Sequence, residues 1–372
     1  MVGATQENRS AALVQAGLHL HQGTDLKSVP RYKNMSLLVI PVFIAHQGCP
    51  HRCIFCDQHT ITGHSAQEDQ PASAATVKEI IEQWLDHPRK EKRNEVQVAF
   101  YGGSFTGLPI ERQKELLGSV KQYIDNGQVN SIRISTRPDY IDENIVALLQ
   151  ESSVSIVELG IQSLDLGVLE ASIRGHTVEQ SESAIHLLKA KGFTVGAQVM
   201  CGLPGDSTNK LMATAKRVAA LAPDFARIYP ALIIRGSGLE KIHRDGRYNS
   251  LTLLKAVALT CRMKSIFDEH NIRVVRMGLQ PSQELEKKVL AGPYHPAFGE
   301  LVISRALFKK ARKILRHTKL NGKVHLSIAA ADESAFRGPK NVNIERLAAL
   351  GLLDEVELVF DKEQKRNTVL VY

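Results

Sequence analysis

The chain is 372 residues long and 43% apolar, with five cysteines and a formal net charge of +8. That length holds one large α/β domain and an appendage, that apolar fraction excludes a chain too polar to build a core, and no apolar run reaches the ~18 residues of a membrane-spanning helix. The charge is mild, so it permits an acidic partner such as RNA without requiring one; with no secretory signal evident, the expected setting is reducing and cytoplasmic, with no membrane association.

Residues 1–34 mix Gln, Ser, Gly and Thr around a short apolar patch, Ala11 to Leu18, and read as a disordered or spurious extension ahead of Met35. A first strand runs from Leu37 to Ala45. Directly after it stands Cys49-Pro-His-Arg-Cys53-Ile-Phe-Cys56, with thiols at C-x3-C-x2-C spacing. A helix follows near Thr76 to Asp86, where Thr76 and Glu79 suggest a capping box. Strand two, Val96 to Tyr101, ends in Gly102-Gly103-Ser104, and a helix from Ile110 stops at Gly127. Strand three is Ser131 to Ser135, followed by a helix near Asp142 to Gln150. Strand four is Ser155 to Ile161, and the next helix opens on the Thr177/Gln180 capping box and closes at Gly192. Strand five is Phe193 to Met200, then a helix near Lys210 to Leu221, with Asp206 or Ser207 as its cap. Strand six is Ala226 to Leu232, and a helix near Leu251 to Phe267 leads to Ile272-Arg-Val-Val-Arg276.

Thiolates favour iron–sulfur clusters, zinc and copper(I). A zinc knuckle would need His46, His51 or His59 as a fourth ligand, but structural zinc sites build from C-x2-C pairs and the chain has no second one. A cubane cluster held by three thiols leaves one iron open to a small molecule. Cys201 and Cys261 stand alone in apolar surroundings, as inert core cysteines do.

Strands alternating with helices at this rhythm mean βα units and a parallel sheet, with function at the C-terminal ends of the strands. Periodicity alone does not separate a partial barrel from an open doubly wound sheet. The polar positions at those ends are Gly102, Gly103 and Ser104 after strand two, Ser135-Thr136-Arg137-Pro138-Asp139 after strand three, Gln162 after strand four, and Arg174 beyond it. Glu158 inside an apolar strand is expected to face the barrel interior. After about residue 280 the rhythm breaks. Leu301 to Leu315 reads as a helix, basic along Arg305, Lys309, Lys310, Arg312, Lys313 and Arg316; Val324 to Ala329 as a strand; Val342 to Leu350 as a helix; and Glu355 to Phe360 with Thr368 to Val371 as a final strand pair.

The cysteine spacing resembles the signature of the radical S-adenosylmethionine superfamily, with Phe55 as the aromatic before the last cysteine. Val157-Glu-Leu-Gly-Ile-Gln-Ser163, Arg174-Gly-His-Thr177, Arg227-Ile-Tyr-Pro230, Ile234-Arg-Gly-Ser-Gly-Leu239 and Gly246-Arg-Tyr248 together look like the radical half of the elongator catalytic subunit, without an acetyl-CoA loop motif. This resemblance implies a partial (βα)6 TIM-like barrel, core 35–279, with a small α+β C-terminal cap, 280–372. It implies a 4Fe–4S cluster on Cys49, Cys53 and Cys56. It also implies S-adenosylmethionine bound among Phe55, Gly102, Gly103, Ser104, Ser135, Glu158, Gln162 and Arg174, with Tyr229, Arg235 and Tyr248 toward the substrate. The common glycine motif carries Glu where Ser104 stands. The implied partners are tRNA and an external one-electron reductant such as flavodoxin or ferredoxin. A small-metabolite substrate, as in oxygen-independent coproporphyrinogen oxidase, and a non-catalytic iron–sulfur protein are the alternatives.

Overall fold

The computed structural model describes residues 37–44, 47–50, 53–57, 72–87, 95–318 and 322–372. The expectation for residues 1–34, and the histidines His46, His51 and His59, fall outside them.

Strands β1 (Leu37–Phe43), β2 (Glu95–Tyr101), β3 (Ser131–Thr136), β4 (Val154–Gln162), β5 (Thr194–Cys201) and β6 (Phe225–Pro230) lie side by side in chain order. The short strand β7 (Ile233–Ile234) leaves this sheet, and β8 (Arg273–Met277) returns as its seventh member, beside β6. Every pairing in the sheet is parallel. The crossovers carry α1 (Ala74–Asp86), α2 (Ile110–Asp125), α3 (Glu143–Glu151), α4 (Leu166–Ala171), α5 (Val178–Ala190), α6 (Thr208–Ala220), α7 (Gly238–Arg244) and α8 (Leu253–Glu269). The strand order never reverses, so each right-handed crossover delivers its helix to the same face. That choice, which periodicity left open, makes the sheet a half barrel and not a doubly wound one.

The two-residue period of the strands sorts the side chains. Ile132 and Ile134 of β3, Val157, Leu159 and Ile161 of β4, and Ile228 of β6 are buried in the layer between sheet and helices. Each fully buried aliphatic side chain contributes about 1.5–3 kcal/mol. The alternate residues, Arg133, Ser135, Glu158, Gly160, Gln162, Arg227 and Tyr229, point inward. A closed eight-stranded barrel fills its interior with branched apolar layers; this one lines it with polar groups.

Local expectations shift in instructive places. Ser73, not Thr76, caps α1, accepting a hydrogen bond from the Thr76 N–H at 3.1 Å. The short helix α4, capped by Asp165, was not expected at all. Beyond the barrel come α9 (Gln283–Lys288), β9 (Val289–Ala291) and α10 (Phe298–His317). Phe298 and Val302 of α10 pack with Ala256, Val257 and Cys261 of α8. The C-terminal sheet is then built from β10 (Val324–Ala329), β11 (Val356–Asp361) and β12 (Val369–Val371), with α11 (Glu333–Arg337) and α12 (Val342–Ala348) between. Here β11 and β12 do not pair with each other: they flank β10, one parallel and one antiparallel. Two consecutive strands read as a pair by proximity, but β10 stands between them and pairs with both.

Candidate active site at the barrel mouth

The cysteine loop is gripped by backbone from three directions. Before Cys49, the Ser104 N–H donates to the Gln47 carbonyl at 3.0 Å. This contact needs glycines: a Cβ on Gly103 would stand 2.4 Å from the Gln47 oxygen and 2.6 Å from the Ile44 oxygen, and one on Gly48 would stand 2.1 Å from the Ser104 oxygen. Between the later cysteines, Ile54 donates its N–H to the Ser172 carbonyl at 3.1 Å, and its own carbonyl accepts from Leu239 at 2.7 Å. Ser172 follows α4 directly, and Leu239 stands in the first turn of α7, which Ser237 caps. The Cys56 N–H closes the turn onto the Cys53 carbonyl at 3.0 Å.

The loop opens into a cavity of about 400 Å³ at the C-terminal ends of the strands. This lies within the ordinary range for small-molecule sites. Cys49, Cys53 and Cys56 line it together with Phe55, Gly102, Gly103, Ser135, Glu158, Gln162, Arg174 and Tyr229. Gln162, on the same inward period as Glu158 and Gly160, lines the wall at the point where the β4–β5 register slips, and it sits at φ +67°.

Arg174 is the hinge of the cavity wall. Its Nη1 donates to Cys53 Sγ at 3.4 Å, and its Nη2 donates to the Gly160 carbonyl at 2.6 Å. A Cβ on Gly160 would lie 2.8 Å from that guanidinium and would displace it from this position. Arg137 is buried behind it, donating Nη1 to the Arg174 carbonyl at 2.7 Å and holding Asp139 in a two-pronged ion pair at 2.9 and 2.8 Å. Burial pushes the Cys49 thiol up, Cys53 adds to the rise, and Arg174 and Arg137 pull the other way.

Deeper in the barrel lies a charged layer that sequence reading caught only at Glu158. Glu158 Oε1 accepts from Arg133 Nη1 at 2.9 Å and from Arg227 Nη2 at 3.0 Å, while Oε2 meets Arg227 Nε at 2.6 Å. Burial works against the charge on Arg227, but Glu158, Tyr229 and Tyr101 together outweigh it and hold the guanidinium above its ordinary range. Arg227 lies over the Tyr101 ring, and Arg133 over the Phe225 ring. The signal for these residues was available: a lone arginine at an inward position of an apolar strand, read by period two.

Other expected residues stand elsewhere. Ser104 does not reach the cavity. It is fully buried, its hydroxyl pairs with Thr136 Oγ1 at 3.0 Å, and it accepts the Arg137 N–H at 3.2 Å, so it pins the glycine loop to β3. Arg235 is exposed at the surface. Tyr248 is buried, and its hydroxyl donates to the Gly202 carbonyl at 2.5 Å. Neither lines the cavity. Ser207 caps α6, and Asp206 accepts from the Gly202 N–H at 3.1 Å, so both serve the local loop. Cys201 is wholly buried, and its thiol is pushed up to about 12 by that burial.

The residues present fit an iron–sulfur cluster with a small zwitterion. Among the described residues no three His, Cys, Asp or Glu side chains converge on a single-ion position. The three thiols line one cavity of about 400 Å³, which has room for a multi-atom group. The buried Nε–H of Arg174 has no hydrogen-bond partner there, which leaves a charged donor for a carboxylate.

Residues 43–218 match the Radical SAM superfamily, and residues 223–307 match the Radical_SAM C-terminal domain. The chain belongs to the radical SAM superfamily, an iron–sulfur enzyme family that works with a 4Fe–4S cluster and S-adenosylmethionine. An uncharacterised protein of Methanocaldococcus jannaschii is 31% identical over 230 residues, covering 60% of this chain and 69% of that protein. The tRNA uridine(34) acetyltransferase of the same organism is 26% identical over 275 residues, covering 65% of this chain and 51% of the relative. The chain therefore spans about half the length of that acetyltransferase. In three dimensions it is similar to Methanocaldococcus infernus Elp3 with an N-terminal deletion, at a TM-score of 0.57 and 23% identity, over 74% of this chain and 63% of that one. No helix among the described residues is long and apolar enough to cross a membrane.

Proposed function

We propose that the chain cleaves S-adenosylmethionine reductively and uses the outcome to modify a base of tRNA. The observation that carries this reading is the convergence of Cys49, Cys53, Cys56, Gly102, Gly103, Gln162 and Arg174 on one cavity. Cys49, Cys53 and Cys56 would hold the cluster, and Arg174 and Gln162 would orient the methionine end of the cofactor beside Gly102 and Gly103. When bound, this group supplies one-electron chemistry that ends in removal of a hydrogen atom from an unactivated carbon.

The protein's own part is to hold and to shield. Arg137 and Asp139 keep the Arg174 backbone in place, so that its guanidinium faces Cys53 without reorganising. Phe55, Met200 and Leu232 line the cavity with apolar surface that excludes water. A base acted on here must leave its stack and turn into the mouth. The exposed Lys309, Lys313 and Arg316 of α10 would meet the surrounding phosphates. A flavodoxin or ferredoxin would supply the electron. The tRNA part of the reading is supported by the likeness to tRNA uridine(34) acetyltransferases. The test is anaerobic reconstitution with iron and sulfide, then reduction with S-adenosylmethionine, with and without bulk tRNA. Formation of 5′-deoxyadenosine together with a mass change in a tRNA nucleoside is expected. 5′-Deoxyadenosine with unaltered tRNA would move the substrate to a small metabolite.

A further inference from the structure

The cavity carries more positive charge than the protein neutralises. Arg227 and Arg276 both line it, and they are direct cross-strand partners on β6 and β8. Like charges placed opposite each other on neighbouring strands repel. The arrangement also depends on an irregularity. The β6–β8 register slips between Ala226 and Arg227, so that Ala226 pairs with Val274 but Arg227 pairs with Arg276. Regular pairing would put Val275 opposite Arg227; Val275 instead is exposed. A bulge that re-aims a side chain beside an active site is a built feature.

Counter-charge is short. Glu158 is the one carboxylate among the described residues lining the cavity, and its oxygens are already taken by Arg133 and Arg227. Arg276 has no ion pair among the described residues; its Nε donates to the Gly278 carbonyl at 3.2 Å. Two guanidiniums thus share one carboxylate, and the third, Arg276, is left without one.

We infer that the Arg227–Arg276 pair is a subsite for the carboxylate or phosphate of a small anionic substrate. This rests on the cavity being a radical enzyme's active site, and it goes on to name what else the cavity holds. The register runs from Gly160 to Gln198 to Arg227 and on to Arg276, so the pair stands level with the Gly160 carbonyl on which Arg174 is anchored, inside the cavity. A base turned into the mouth leads with its ring and leaves its phosphates on the rim. The pair therefore meets a separate small molecule, or an acid group carried at the far end of the substrate.

The test uses the full chain with its cluster reconstituted and saturating S-adenosylmethionine, titrated calorimetrically with malonate, inorganic phosphate and neutral malonamide. At least one anion is expected to bind, and malonamide is not. Preference for malonate names a carboxylic acid, and preference for phosphate names a phosphorylated substrate. In Arg276→Gln, which leaves the Glu158 pairs intact, anion affinity is expected to fall about tenfold or more, the scale of one charge-assisted hydrogen bond. The melting temperature of the ligand-free variant should hold or rise, because a like-charge contact is gone. Equal binding of malonamide and the anions, or an unchanged affinity in Arg276→Gln, overturns the subsite. Formation of 5′-deoxyadenosine is measured on the same samples: its absence beside intact anion binding would sink the radical reading and leave the subsite standing.

Discussion

Leu239 donates its backbone N–H to the carbonyl of Ile54 at 2.7 Å, so the start of α7 holds the turn that carries Cys53 and Cys56. A Cβ on neighbouring Gly238 would stand 2.7 Å from the Ile54 side chain. The stretch Ile234 to Leu239, of which Arg235 was expected toward the substrate, clamps the cysteine loop through Leu239. The opposite clamp is the glycine contact between Gly103 and Gln47.

Adding a methyl group at that contact should therefore empty the site. In Gly103→Ala the new Cβ meets backbone oxygen on two sides, which cannot yield as a flexible side chain would. We expect reconstituted iron to fall by more than half, with a loss of roughly 1–3 kcal/mol in stability. Gly118→Ala is the matched control. Gly118 lies within α2 with open space around its Cα, and the change should stabilise by about 0.5–1 kcal/mol with iron unchanged. Iron analysis and urea unfolding read both outcomes.

The five cysteines should divide cleanly by chemistry. Cys53→Ala is expected to abolish the sulfur-to-iron absorption of the reconstituted protein. Cys201→Ala and Cys261→Ala should retain it, because both thiols are buried among apolar side chains away from the cavity. A requirement for Cys201 would mean a different ligand set and no open iron.

His176 sets a pH dependence. It is 4% exposed, and burial together with Arg174 and Arg137 lowers its pKa from 6.5 to about 3, against the pull of Asp139. The neutral form is the one that fits. Its contribution is whole above pH 6.5 and is lost as pH falls from there toward 3, by about 1.4 kcal/mol per pH unit. Unfolding free energies of wild type and His176→Gln should therefore converge by about 1–2 kcal/mol between pH 6.5 and pH 5. Parallel curves over that interval would show that His176 does not carry the effect.

The basic helix α10 should show itself in salt dependence. Lys309, Lys310, Lys313 and Arg316 are exposed. Arg312 instead lies over the Phe308 ring, and Lys310 is engaged with the Asn367 carbonyl at 2.7 Å. With these replacing a uniform basic face, log affinity for tRNA should fall against log salt by roughly 0.7 per phosphate contact. Lys309→Glu with Lys313→Glu should lower affinity and flatten that slope, without altering iron content. An unchanged slope would remove α10 from the interface.

The sequence by itself determined the chemistry of the cofactor and the sorting of the strands. Cysteine spacing is local, and three thiols within one short loop must stay together whatever the rest of the chain does. Period two likewise commits Val157, Leu159 and Ile161 to one face and Glu158 to the other, because a strand has only two faces. Only the tertiary structure decided what each polar residue meets. Whether Ser104 faces the cofactor or Thr136, and whether Arg276 looks outward or opposite Arg227, turns on one register slip or one glycine contact with a segment far along the chain. Such pairings depend on distances between residues separated by dozens of positions, and no local pattern carries that information.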